Sequence, residues 1–129
     1  MKTVVHHLSG KRAVALGLGS ETEHRFPLAD VSFVGYPAGT GERGLEAVRK
    51  LWDAKCYEPA AILMGEDLDA AFSKTNSVDS YWGDSKEIIV IGERRRSTSV
   101  GDVLELLAED GTSTFHVVAA CGFLPLVQA

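Results

Sequence analysis

Leu104-Glu105-Leu106-Leu107-Ala108-Glu109-Asp110-Gly111-Thr112-Ser113-Thr114-Phe115-His116-Val117-Val118-Ala119-Ala120 is the stretch on which the fold class turns. Asp110-Gly111 lies between two apolar runs. That is a strong short-range hairpin signal, because both positions of a tight two-residue turn require positive φ. In the second arm Phe115, Val117 and Ala119 alternate with His116, Val118 and Ala120, as residues on the two faces of a strand do. The chain therefore ends in an antiparallel hairpin, followed by Cys121-Gly122-Phe123-Leu124-Pro125-Leu126, where Pro125 marks an edge or the end of pairing.

Working back toward the N-terminus, Glu87 to Ile91 holds the β-branched run Ile88-Ile89-Val90-Ile91, which predicts a strand at the centre of a sheet and covered on both faces. Between this strand and the hairpin stands Arg94-Arg95-Arg96-Ser97-Thr98-Ser99-Val100-Gly101-Asp102-Val103. Three cations, three hydroxyls, a glycine and a carboxylate gather here where the backbone must turn. Ser97 and Ser99 can bond forward to backbone amides, Gly101 permits a tight bend and Asp102 can neutralise an arginine. Arg94 and Arg95 are then the members left to bind a phosphate or carboxylate by bidentate hydrogen bonds, and Arg96 fits either role.

Two helices are read from apolar spacing. Leu45, Val48, Leu51 and Trp52 share one face, with Glu46, Arg49, Lys50 and Asp53 on the other. Thr40 is the expected N-cap and Glu42 complements the helix dipole. Trp52 is read as core. Glu66, Asp67 and Asp69 crowd the start of the second helix, which turns Leu68, Ala71 and Phe72 inward, with Lys74 at its far end. Three neighbouring carboxylates are accounted for by capping, so no metal site is read there. Between the helices, Tyr57 to Met64 contains a continuous apolar run that suits a buried strand or a helix.

Near the N-terminus, Thr3 to Leu8 and Ala13 to Leu18 flank Ser9-Gly10-Lys11, which predicts a hairpin, with residues 1–25 peripheral. Leu28 to Val34 predicts a strand, and the glycine-rich 35–41 segment a loop. Gly17-Leu18-Gly19-Ser20 lacks the following lysine and helix of a phosphate-binding loop. Thr75 to Lys86 is polar, and its adjacent Tyr81 and Trp82 either fold onto the core or meet a partner. The order of elements lacks strict βαβ alternation. The expected architecture is thus α+β: one domain over residues 1–129, mostly antiparallel sheet with about two helices packed on one face.

The 129 residues carry 18 acidic against 13 basic side chains, a net charge of -5. That balance disfavours a general DNA binder, which needs a basic face. Cys56 and Cys121 have no neighbouring cysteine and are read as two reduced thiols of a cytoplasmic protein. No apolar run approaches the roughly 20 residues of a membrane span, and the N-terminus lacks a signal-peptide core.

The four histidines, His6, His7, His24 and His116, do not fall at metal-ligand spacing, and His6 and His7 point to opposite faces of one strand. His116 and Cys121 lie too far apart on one extended segment to form a dyad. No nucleophile-elbow or metalloprotease motif occurs. No catalytic residue, metal ligand or cofactor is assigned.

Phe72 to Trp82, the string Arg96-Ser97-Thr98-Ser99-Val100-Gly101-Asp102-Val103 and Cys121-Gly122-Phe123 together resemble small YodL-like proteins of plasmids and phages. The likeness covers residues 57 to 126, and Arg-Ser-x-Ser-Val-Gly-Asp is its most specific part. It implies an accessory role in a mobile genetic element, countering host defence or aiding replication, and implies no reaction. The sequence thus favours a non-enzymatic accessory protein that binds a macromolecular partner, a protein before nucleic acid. Nucleic-acid contact through Arg94, Arg95 and Arg96, with Tyr81 or Trp82 stacking on bases, is the alternative. A small-ligand site or an enzyme with a pocket beside the arginine turn is the third reading.

Overall fold

The structure, a computed structural model, describes residues 2–20, 25–35, 40–65, 67–76, 88–92, 96–120 and 122–126. Among these residues six antiparallel strands form one sheet: β1 (Lys2–Leu8), β2 (Tyr57–Met64), β3 (Ile88–Val90), β4 (Val103–Leu107), β5 (Ser113–Val118) and β6 (Phe123–Pro125), in the order β3-β2-β1-β4-β5-β6. The α+β reading holds.

The N-terminal strand sits inside the sheet and not at its periphery. β1 pairs with β2 from Lys2↔Met64 to Leu8↔Tyr57, and with β4 from Lys2↔Leu107 to His6↔Val103. Both its edges are taken by distant segments, so the expected second hairpin arm has no edge to join. That segment instead forms the helix α1 (Gly10–Ala15), with the Ser9 hydroxyl accepting from the Arg12 amide at 3.2 Å as N-cap.

Leu28–Phe33 is also not a strand. It is a 3₁₀ helix, and its buried residues Leu28 and Val31 stand three apart, the spacing at which 3₁₀ side chains eclipse. Tyr57–Met64, open between two readings in sequence, is strand β2. A bulge opposite Val5/His6 sets Ala60 out of register beside Pro59, which has no N–H for the ladder.

The helices divide between the two sheet faces. The helix α2 (Thr40–Asp53) brings Ala47, Val48 and Leu51, all fully buried, into one cluster with Leu28, Val31, Tyr57, Val103 and Val117. Each such Leu or Val contributes about 1.5–3 kcal/mol by leaving water. Thr40 is the first residue of α2, and the residues before it, 36–39, lie outside the described ones. The ring of Trp52 lies 5.2 Å from His6 and 5.3 Å from both Tyr57 and Phe115, in the core as expected.

The helix α3 (Leu68–Thr75) packs Ala71, Leu68 and Phe72 against Val5, Ala61, Leu63, Leu104 and Val118. Since Val103 and Leu104 are adjacent in one strand, as are Val117 and Val118, these two clusters occupy opposite faces. The expectation of two helices on one face is corrected accordingly: α2 and the 3₁₀ helix cover one side and α3 the other. Asp67 caps α3 by accepting from the Ala70 amide at 2.8 Å, as the acidic start suggested.

Two further corrections concern strands. β3 forms a sheet edge, pairing only with β2 among the described strands, and its Ile89 is 56% exposed, so it is neither central nor covered on both faces. The β4–β5 hairpin forms, but its turn is longer than two residues. Ala108 N–H donates to the Thr112 carbonyl and Gly111 N–H to the Ala108 carbonyl, and only Gly111 has positive φ, at 89°. The Asp110 carboxylate accepts from the Thr112 amide and hydroxyl at 3.0 and 2.7 Å, which holds this turn with Asp110 in an ordinary conformation. Pro125 lies in the outer strand β6, at an edge as expected.

Candidate ligand cleft beside the arginine turn

The turn between β3 and β4 is built on one carboxylate. Asp102, 1% exposed, accepts four hydrogen bonds. Oδ1 takes the Leu8 amide at 2.9 Å and an Arg96 N–H at 2.7 Å. Oδ2 takes the other Arg96 terminal nitrogen at 2.7 Å and the Ser99 amide at 2.8 Å. Such an end-on fork is the strong geometry for arginine and carboxylate. The same guanidinium donates to the carbonyls of Ser97 and Leu8 and to the Ser99 hydroxyl. Hydrogen bonding to Asp102 holds the Arg96 pKa above its ordinary value, and partial burial opposes it.

Ser99 and Asp102 thus stand in the turn itself, where the sequence placed them. Ser97 enters through its backbone carbonyl and Ser99 through both its amide and its hydroxyl. Gly101 has φ of +95°, and a Cβ there would lie 2.0 Å from Val31 Cγ1. Glycine is needed both for the bend and for the approach of the 3₁₀ helix. The Gly101 carbonyl accepts from the Tyr57 hydroxyl at 2.5 Å. Burial, followed by the Asp102 charge, pushes the Tyr57 hydroxyl well above the usual tyrosine range.

Thr98 carries a second, buried set of bonds on the α3 side. The Thr75 hydroxyl donates to the Ala71 carbonyl at 2.8 Å, and the Thr98 hydroxyl donates to Thr75 Oγ1 at 2.7 Å. With both hydroxyl protons committed, Thr98 Oγ1 must accept from His7 Nε2, 3.0 Å away. His7 therefore carries its proton on Nε2. The Asn76 amide group donates to the Thr98 carbonyl, tying the end of α3 to the turn. His6 points the other way, as alternation required, and meets Glu105 Oε1 at 2.9 Å, while Ser113 donates to Glu105 Oε2 at 2.7 Å.

Outside this polar knot a cleft of about 670 Å³ opens between the turn and the 3₁₀ helix. Leu28, Val31 and Val100 give it apolar walls. Asp30, Ser32, Ser99, Arg96 and Asp102 supply polar atoms. A side chain added at Gly10, on its rim, would meet no atom within 4 Å.

Of the arginines and aromatics expected to bind, only Arg96 is among the described residues. Arg94, Arg95, Tyr81 and Trp82 lie outside them, as does Cys121, so the His116–Cys121 relation does too. His116 itself is 3.0 Å from Thr114 Oγ1, and desolvation holds its pKa low. Among the described residues no group of three or more His, Cys, Asp or Glu is placed to hold a metal ion, and no helix is long and apolar enough to cross a membrane.

The residues that sequence reasoning missed are His7, Tyr57, Thr75 and the 3₁₀-helix members Asp30 and Ser32. No local signal marks them, because they reach the turn from elements 20 or more positions away in the chain. Comparison with family models, with curated proteins and with solved structures returned no match.

Proposed function

We propose that this is a binding protein that holds a group of its partner in the cleft between the 3₁₀ helix and the Arg96–Asp102 turn. The carrying observation is that the cleft is open while the charges at its floor are already spent. Asp102 accepts four hydrogen bonds, and the terminal nitrogens of Arg96 donate to Asp102, Ser97, Ser99 and Leu8. A general base needs an open lone pair within reach of its proton, and Asp102 offers none. The floor is thus held by hydrogen bonds among its own groups. The cleft, about 670 Å³, falls within the range of roughly 300–1,000 Å³ typical of ligand sites.

The partner is a macromolecule, a protein in first place, since a chain of net charge -5 repels nucleic acid at long range. The accessory role in a plasmid or phage implied by the resemblance belongs to the same proposal. A binding protein without a reaction of its own suits that role. Nucleic-acid contact through the arginines gains no support from Arg96, whose terminal nitrogens already donate to Asp102, Ser97, Ser99 and Leu8.

Blocking the cleft tests the reading. Amide spectra of ¹⁵N-labelled protein titrated with small fragments that stand in for partner side chains should shift Ser32, Ser99 and Val100 first. Gly10→Phe, which projects into open space, should remove those shifts at unchanged melting temperature. Fragments that leave the cleft amides still, or bind equally well after the block, would refute it.

A further inference from the structure

Asp30 gives the cleft a preference in charge. It lines the cleft, its side chain is 13% exposed, and its Oδ2 accepts from Arg43 Nε. No group among the described residues hydrogen-bonds to Oδ1. Two residues on, the exposed Ser32 hydroxyl on the same wall is also without a partner among the described residues. We propose that the cleft receives a cation, an alkylammonium or alkylguanidinium group, with Asp30 Oδ1 and Ser32 Oγ as its acceptors. The inference rests on the cleft being the binding site.

Charge and shape both favour this class. Arg96 and Asp102 cancel each other across their fork, which leaves Asp30 as the charge on the cleft lining whose partner, Arg43, lies outside that lining. Arg43 only half satisfies it. Its side chain is 62% exposed and its guanidinium rests over the Phe26 ring at 5.0 Å, so it holds Asp30 from the solvent side. An ion pair that exposed is weak, and a second cation can share the carboxylate without displacing it. A mostly buried carboxylate attracts a cation more strongly than one in open water.

An anion finds the reverse: an acidic protein, and an arginine whose terminal N–H groups already donate to Asp102, Leu8, Ser97 and Ser99. Leu28, Val31 and Val100 suit the methylene stem that carries an ammonium or guanidinium head. The group can therefore come from a free amine or from a lysine or arginine side chain of a protein.

Titration of the ¹⁵N-labelled protein with n-butylammonium, N-acetyl-lysinamide, N-acetyl-argininamide, 1-butanol and sodium phosphate separates the cases. The cations should shift the cleft amides, more weakly as sodium chloride is added, and phosphate should not. Tighter binding of the blocked amino acids than of n-butylammonium assigns the group to a protein partner, and the reverse order to a free amine. Asp30→Asn should abolish cation binding. Arg43→Gln removes the competing charge and should tighten it roughly two- to fivefold, the range that an exposed ion pair is worth.

A purely structural Asp30–Arg43 pair would instead make Arg43→Gln neutral or weakening, which overturns the inference even if Asp30→Asn fails to fold. Binding of 1-butanol as tight as that of n-butylammonium overturns it too, while leaving the cleft as the site. Cleft amides that ignore every probe refute the site itself.

Discussion

Arg96 closes on Asp102 with both terminal nitrogens at 2.7 Å, and the carboxylate that it grips is 1% exposed while the arginine side chain is 46% exposed. The pair is therefore asymmetric: water can solvate the cation if it is left alone but cannot reach the anion.

That asymmetry predicts unequal mutants. Arg96→Met strands a buried carboxylate and should cost about 3–5 kcal/mol. Asp102→Asn leaves an arginine that can turn to solvent, but it points an amide donor at another donor, and should cost about 1–3 kcal/mol. Urea denaturation of both variants and of the double mutant gives the test. Equal losses that add in the double mutant would deny the coupling.

Gly101→Ala should destabilise by about 2–4 kcal/mol, combining a φ of +95° with a Cβ only 2.0 Å from Val31 Cγ1. Adding Val31→Ala should recover the steric part and leave the backbone part. A Gly101→Ala variant with wild-type melting temperature would show that the turn and the 3₁₀ helix do not meet as described.

The hydroxyl chain from Ala71 through Thr75 and Thr98 assigns the His7 proton to Nε2. Long-range ¹H–¹⁵N correlations of the neutral ring should show Nε2 protonated. Thr98→Val keeps the shape, removes the Thr98 hydroxyl that accepts from His7 Nε2 and donates to Thr75 Oγ1, and should cost about 1–3 kcal/mol. A bare Nε2 would contradict the chain.

Tyr57 keeps its proton in the fold above the ordinary tyrosine value, through burial and then the Asp102 charge. Above a pH of about 10 the unfolded chain releases this proton first and binds fewer protons than the native one, so stability falls as pH rises. Below that value both states hold the proton and the contribution is flat. Tyr57→Phe should remove this alkaline limb and, with the hydrogen bond to Gly101, about 0.5–1.5 kcal/mol. Absorbance titration near 295 nm should find one tyrosine ionising only on unfolding; three tyrosines titrating together would count against it.

The sequence carried its local instructions well. The apolar spacing of Val48, Leu51 and Trp52 made a helix, Asp67 capped another, and Asp110-Gly111 turned a hairpin, because each depends on neighbours within a turn or two. Ser99, Gly101 and Asp102 were recognisable as turn residues for the same reason. Leu28–Phe33 misled, since residues spaced by three in a short segment also pass for imperfect alternation.

What only the tertiary structure decided was partnership. The Thr3–Leu8 run reads as an outer hairpin arm, and the structure makes it an inner strand. It became the latter because β2 and β4, some 50 and 100 positions away, supplied both its edges. The strong Ile88-Ile89-Val90 run, in contrast, ended at a sheet edge, because β-propensity reports how a residue suits a strand and says nothing of its place in the order. The cleft has the same origin. Arg96 and Asp102 are six apart and their pairing was foreseeable, but Leu8, Tyr57 and the 3₁₀ helix reach them through long-range packing, and such contacts leave no trace in local spacing.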